Sequence, residues 1–373
     1  MIANRPPIHF FNLDILRALA VIMVVVFHGQ LAYSGWFHEP TFMTNPFSGK
    51  LWEHFFSNLS LGVDFFFLIS GFLITYLLLM EKESEGEIAI GKFYVRRILR
   101  IWPLYFLVIA CTPLICKLAD SSSPHYLGTL FFVNNFQTIH LGFMDYPFVH
   151  FWTLSIEEQY YLVWPLVLAF VPEKKLPNIF IALALIALLY KLVVVAVAAN
   201  PMLVIQYDTL SRGDAIIAGA FLAWLHHRKP LTVHIAGWVR ILVYILLVAG
   251  MFLLQGISSN SLFGLVFAKY FFLAGFIFIL LNYLFNPSAI AIFTKKNFLH
   301  YIGKISFGIY VFHNIILPIM IKRLLYKWGA QNAFVFWLVY IVLVLLASVL
   351  SYELFEKRIL RFKERFSILA NRR

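Results

Sequence analysis

The sequence predicts an all-α fold: a polytopic transmembrane bundle of about ten helices with both termini in the cytoplasm. Three observations carry this. Of the 373 residues, 61% are hydrophobic and only 13% charged, more apolar surface than a water-soluble domain can hide. Ten runs are long and apolar enough to cross a bilayer, which takes about 20 residues. The lysines and arginines stand in short clusters between those runs, as membrane topology requires.

In order, the runs cover residues 10–32, 56–80, 98–118, 154–171, 177–199, 211–227, 236–255, 261–285, 299–321 and 332–355. The first lacks a small-residue cleavage site and is long enough to span, so it reads as a retained helix rather than a signal peptide. The chain reads as one membrane-embedded domain, 1–373, with a core of about 10–355 and a basic cytoplasmic tail, 356–373. No internal repeat or inverted half suggests a transporter architecture.

Placing the N-terminus inside puts KESEGEIAIGKFYVRR, PEKK, HHRK, TKK and EKRILRFKERFSILANRR in the cytoplasm. The opposite loops hold only Lys50, Lys117, Lys322, Arg323 and Lys327, an asymmetry that follows the positive-inside rule. The same distribution explains the net charge of +12 without nucleic acid, because no basic face interleaved with aromatics is present. Cys111 and Cys116 share one apolar run on different helix sides. They predict neither a disulfide nor a metal site, and no metal is expected.

Polar residues inside apolar runs mark where function sits. The first helix, LDILRALAVIMVVVFHG, carries Arg17 and His28. Eleven positions bring them to within about 20° of one helix face and about 16 Å apart along the axis. Asp14 lies one turn below Arg17. Ionisable groups at membrane depth cost several kcal/mol unless they face a bundle interior or an aqueous cavity, so the default reading is a site. The plainer reading pairs Asp14 with Arg17 at the interface and bonds His28 to a neighbouring helix.

The second run, SLGVDFFFLISGFLIT, puts Asp64 near the outer end with Ser70 and Gly71 deeper. The third, FYVRRILRIWPLYF, sets Arg97 and Arg100 one turn apart at the cytoplasmic entrance. With Arg17 they make three guanidinium groups able to converge, and such forks suit phosphate. Arg96 and Arg97 also fit ordinary positive-inside charge.

The fourth run opens HFWTLSIEEQYYLVWP, packing His150, Ser155, Glu157, Glu158 and Gln159 around an outer helix start. Ser155 has the spacing of an N-cap with Glu158 three positions on, a capping box that leaves Glu157 free. A carboxylate and a histidine at one membrane depth make an acid/base pair. Among later intrusions, Arg212 and Asp214 read as partners of other charges and His313 as a core histidine. Lys191, Lys269 and Glu353 carry no assignment.

These segments together resemble the acyltransferase-3 family of integral membrane acyltransferases. The resemblance rests on Arg17 and His28 as an arginine-x10-histidine, on GVDFFFLISGF, and on Arg97, Arg100, Ile101 and Pro103 as R-x-x-R-I-x-P. It rests also on Trp152 to Tyr161 as W-x-L-S-x-E-E-Q-x-Y, on Arg212, Ala215 and Gly219, and on SFGIYVFH. It covers most of the chain. It implies transfer of an acyl group, most often acetyl, from cytoplasmic acyl-coenzyme A to a hydroxyl of a cell-envelope or exported glycan or glycolipid. The location it implies is a bacterial-type inner membrane.

On this resemblance His28 is the essential histidine, Glu157 and Glu158 stand in the acidic motif, and Arg17, Arg97 and Arg100 are the donor-binding arginines. Some members carry an extra SGNH-hydrolase-like domain. This chain is expected to complete transfer within the membrane domain. The combined expectation is His28 as general base oriented by Glu157, with Gln159 or Tyr161 as oxyanion donor and Trp36, Trp52, Tyr146 and Trp152 as sugar-stacking rings. The alternative is a proton-coupled transporter or flippase of a glycolipid, in which the same charges relay protons.

Overall fold

The computed structural model describes residues 10, 12–37, 46–123, 126–142, 147–254, 263–287, 297–325 and 332–366. Residues 294–296, Lys327 and Tyr146, which entered the sequence reading, lie outside them. Among the described residues every regular element is helical, and each of the ten predicted runs holds a helix of fifteen residues or more. These are α1 (Leu13–Phe37), α2 (Gly62–Glu85), α3 (Ile90–Ala110), α4 (Trp152–Phe170) and α5 (Leu176–Val197). They continue with α6 (Thr209–Arg228), α7 (Gly237–Leu253), α8 (Ala268–Phe285), α9 (Ser306–Met320) and α10 (Ala333–Ser351).

Six stretches are by themselves long and apolar enough to cross a membrane, and α3 makes a seventh with Thr112–Ala119 across a 58° bend. The bend falls at Cys111, just before Pro113, which cannot donate to a continuing helix. Helix α7 is shorter, while α4 and α6 carry the polar residues of the bundle interior.

The helices divide by position. The most apolar windows of α5 and of the stretch containing α10 are only 22% buried, against 78% for the stretch containing α2. So α2 is central, and α5 and α10 present aliphatic faces such as Leu189 and Ile341 to lipid. Helices α2 and α6 form the tightest pair. A Cβ on Gly71 would lie 2.0 Å from the Ile216 carbonyl oxygen, and one on Gly219 would lie 2.0 Å from that of Leu68. Without a hydrophobic force between helices in lipid, association depends on close backbone packing, and these two glycines permit it.

Ion pairs tie the same centre. Arg212 on α6 donates to both carboxylate oxygens of Asp64 at 2.8 Å, and Lys269 on α8 lies 3.7 Å from Asp64. Lys191 on α5 pairs with Asp214. Helix ends are satisfied locally: His54 and Asn58 of the short helix Pro46–Asn58 bond Phe252, Met251 and Leu254 carbonyls at the C-terminus of α7. The described part of the predicted tail folds back on the bundle, since Arg96 donates to Glu81 and to the Phe366 carbonyl.

Candidate functional site: two abutting cavities

Two cavities are stacked along α1. The first, of about 110 Å³, is lined by Arg17, Arg97, Arg100, Glu157, Ser70 and Tyr161, together with apolar residues of α2, α3 and α9. The three arginines that the sequence grouped therefore do converge. Arg17 is one turn from Asp14 and bonds it at 3.2 Å. Arg97 lies over the rings of Phe93 and Tyr161, 5.4 and 5.5 Å from their centroids. Its buried Nε has no hydrogen-bond partner among the described residues. Arg100 makes no ion pair there either. Glu157 accepts from Ser70 at 3.0 Å and from Tyr161 at 3.1 Å. Guanidinium groups that line a cavity without a carboxylate partner among the described residues suit phosphate oxygens.

The second cavity, of about 450 Å³, is lined by His28, His150, Trp152, Tyr207, Asn200, Gln206 and Asn314 among others. Among the described residues no acidic or permanently charged side chain lines it. Helix α9 brings His313 beneath it: His313 Nε2 lies 3.2 Å from His28 Nδ1, and its ring centroid is 5.0 Å from that of His150. His150 and His313 are buried, His28 half-buried. These imidazoles crowd one another without converging on a point, and among the described residues no group of His, Cys, Asp or Glu is arranged to hold a metal ion.

Val63, Thr153 and Tyr310 line both cavities and so form the wall between them. Thr153 Oγ1 lies 2.5 Å from Tyr310 Oη, and Tyr310 also donates to the His150 carbonyl. On α1 the wall falls between Arg17 and His28, whose eleven-residue separation spans about 16 Å.

The geometry corrects four expectations. Glu157 does not orient His28: its partners are Ser70 and Tyr161, and it lines the arginine cavity. Ser155 is no N-cap, because α4 begins at Trp152 and Ser155 Oγ donates back to Phe151 O at 3.4 Å. Glu158 therefore closes no capping box. It accepts from Trp102 Nε1 at 3.1 Å and lines neither cavity. Gln159 is fully engaged with Phe132, Asn135 and Thr209, and Tyr161 donates to Glu157, so neither is free to serve an oxyanion beside His28.

Of the aromatic candidates, Trp152 lines the histidine cavity, whereas Trp52 packs on Phe55, Phe56 and Phe252. The Trp36 side chain and Tyr146 lie outside the described residues. Sequence reasoning gave Tyr310 and Thr153 no role, and it set His313 close to His28 in depth without their contact. His28 and His313 are 285 positions apart, and no local spacing signals their meeting.

Residues 10–353 match the acyltransferase domain family model. The peptidoglycan O-acetyltransferase OatA of Listeria monocytogenes is 28% identical over 338 residues, covering 83% of this chain and 49% of that protein. The O-acetyltransferase OatA of Staphylococcus aureus is 28% identical over 378 residues, covering 94% of this chain and 57% of that protein. The chain thus spans about half the length of the curated relatives it matches. No solved structure is similar enough to count as a match. With a family match that runs from the start of α1 to beyond the end of α10, the chain belongs to the acyltransferase domain family.

Proposed function

We propose that the protein is a membrane O-acetyltransferase that takes acetyl from coenzyme A at the arginine cavity and delivers it to a glycan hydroxyl in the histidine cavity. The observation that carries the reading is the shared wall. One cavity offers guanidinium groups without a carboxylate partner among the described residues, the other a histidine, and Val63, Thr153 and Tyr310 line both. The relatives' names support acetyl as the group moved and a cell-wall glycan as the acceptor. The basic loops favour an orientation with the arginines on the cytoplasmic side of a bacterial cell membrane.

The first cavity, at about 110 Å³, is the smaller of the two, and its arginines suit a phosphate of the donor. The thioester enters past Thr153 and Tyr310. The second cavity lies within the range of about 300–1,000 Å³ typical of small-molecule sites. It offers the Trp152 and Tyr207 rings for a sugar face and Asn200, Gln206 and Asn314 for its hydroxyls.

The chemistry is a single displacement. His28 Nε2 takes the proton of the acceptor hydroxyl as its oxygen attacks the thioester carbon. The tetrahedral intermediate then collapses, the C–S bond breaks, and the leaving sulfur receives the proton from His28. The products are the O-acetyl ester and coenzyme A thiol. The test supplies radiolabelled acetyl-coenzyme A to proteoliposomes with peptidoglycan fragments as acceptor. Label on the fragments together with thiol release supports the reading. Uptake or flipping of a glycolipid without consumption of the thioester would replace it with a transporter.

A further inference from the structure

In many hydrolases a carboxylate holds the catalytic imidazole in its working tautomer. Among the described residues none lines the histidine cavity, and the hydrogen bonds of His28 supply another means. His313 Nδ1 lies 2.6 Å from the Tyr310 carbonyl oxygen. A carbonyl only accepts, so this nitrogen carries the proton, and in a neutral ring Nε2 is left with the lone pair. That lone pair faces His28 Nδ1 at 3.2 Å. His28 Nδ1 is also 3.0 Å from the Val24 carbonyl oxygen, again an acceptor. Both neighbours of His28 Nδ1 therefore demand a donor. The proton is fixed on Nδ1, and Nε2 becomes the basic nitrogen. Nε2 has no hydrogen bond to the described residues and is not among the buried atoms left without a partner, so it is reachable from the cavity.

We propose that His313 is the positioning residue of the transfer reaction: its neutral Nε2 accepts from His28 Nδ1–H and holds His28 in the tautomer that presents Nε2 to the acceptor hydroxyl. This rests on the acyl-transfer reading above. When His28 gains the substrate proton it becomes an imidazolium, and the bond to His313 becomes charge-assisted and stronger. A neutral imidazole thus does the orienting work of an aspartate without placing a buried anion beside the acceptor. The Tyr310 carbonyl that sets the tautomer of His313 belongs to the residue whose side chain forms the wall, so the base and the wall are fixed by one turn of α9.

Two substitutions separate the role from folding. His313→Asn retains a donor for the Tyr310 carbonyl but is too short to reach His28. His313→Gln places an amide oxygen near the former Nε2. With acetyl-coenzyme A and peptidoglycan fragments in proteoliposomes, we expect His313→Asn to lower kcat by about 10²-fold or more, the scale of a lost acid–base contribution. KM for the donor should stay within about twofold, and His313→Gln should recover kcat to within about tenfold of wild type, the remainder reflecting imperfect amide geometry. In His28→Ala the His313→Asn change should slow the residual rate no further, because residues acting as a unit are not additive.

A His313→Asn enzyme with wild-type kcat overturns the proposal. So does a His313→Gln enzyme as slow as His313→Asn, or a double variant slowed by the product of the two single effects. Absence of transfer by the wild type would instead remove the acyl-transfer reading itself, and the role of His313 with it.

Discussion

Two groups of intramembrane charges in this protein obey opposite rules. In the centre of the bundle, Arg212, Lys269 and Lys191 each have a carboxylate within 4 Å, Asp64 for the first two and Asp214 for the third. All are buried and none lines either of the two stacked cavities. On α3, Arg97 and Arg100 have no carboxylate within that distance among the described residues, yet they line a cavity with Arg17. Matched charge at depth builds a bundle. Unmatched charge beside a cavity, on the function proposed above, receives an anion from outside. The difference separates architecture from site more cleanly than depth or burial alone, and each half of it can be broken.

The largest effect on the architectural half should follow Asp64→Ala, which leaves Arg212 buried with its ion-pair partner removed. Loss of one partner of a buried pair costs about 3–5 kcal/mol, read as a large fall in melting temperature in detergent. Gly219→Leu comes next. Its Cβ would meet the Leu68 carbonyl oxygen at 2.0 Å, and such overpacking costs about 1–3 kcal/mol. It should part α2 from α6 while leaving donor affinity untouched in the molecules that remain folded.

On the other half of the comparison, Arg100→Ala should leave the melting temperature nearly unchanged and weaken acetyl-coenzyme A binding by about 10- to 100-fold, since a hydrogen bond to a charged group contributes about 1.5–3 kcal/mol. Equal loss of stability and affinity would place Arg100 with the staples instead. The smallest effect belongs to Lys357→Ala, which removes the exposed pair with Glu353. Solvent screens such a pair, and both stability and binding should stay at wild-type values.

The helical architecture was legible in the sequence because lipid imposes it: a span must satisfy its own backbone, and the apolar runs mark where that happens. The convergence of Arg17, Arg97 and Arg100 was legible for a related reason, since charge on apolar helices must turn inward. The pairing within the site was not. Glu157 and His28 suggested a carboxylate–imidazole pair by depth alone, yet depth does not fix azimuth. The actual rotation of α4 turns Glu157 toward Ser70 and Tyr161. The SxxE spacing at Ser155 misled because α4 starts three residues earlier, at the end of a 3₁₀ turn over Val149–Phe151. His313 is the partner of His28 only through the packing of α9 on α1, a tertiary contact without any local sequence mark.

The proposed function divides labour across the Val63–Thr153–Tyr310 wall, with donor binding on one side and proton transfer on the other. It is tested most directly by measuring acetyl-coenzyme A affinity and turnover separately for His28→Ala and Arg100→Ala in proteoliposomes. His28→Ala is expected to bind the donor as wild type does while turnover falls by about 10²–10⁴-fold. Arg100→Ala should bind weakly yet turn over near the wild-type rate at saturating donor. A His28→Ala enzyme that keeps its turnover, or loses donor affinity as Arg100→Ala does, would contradict it.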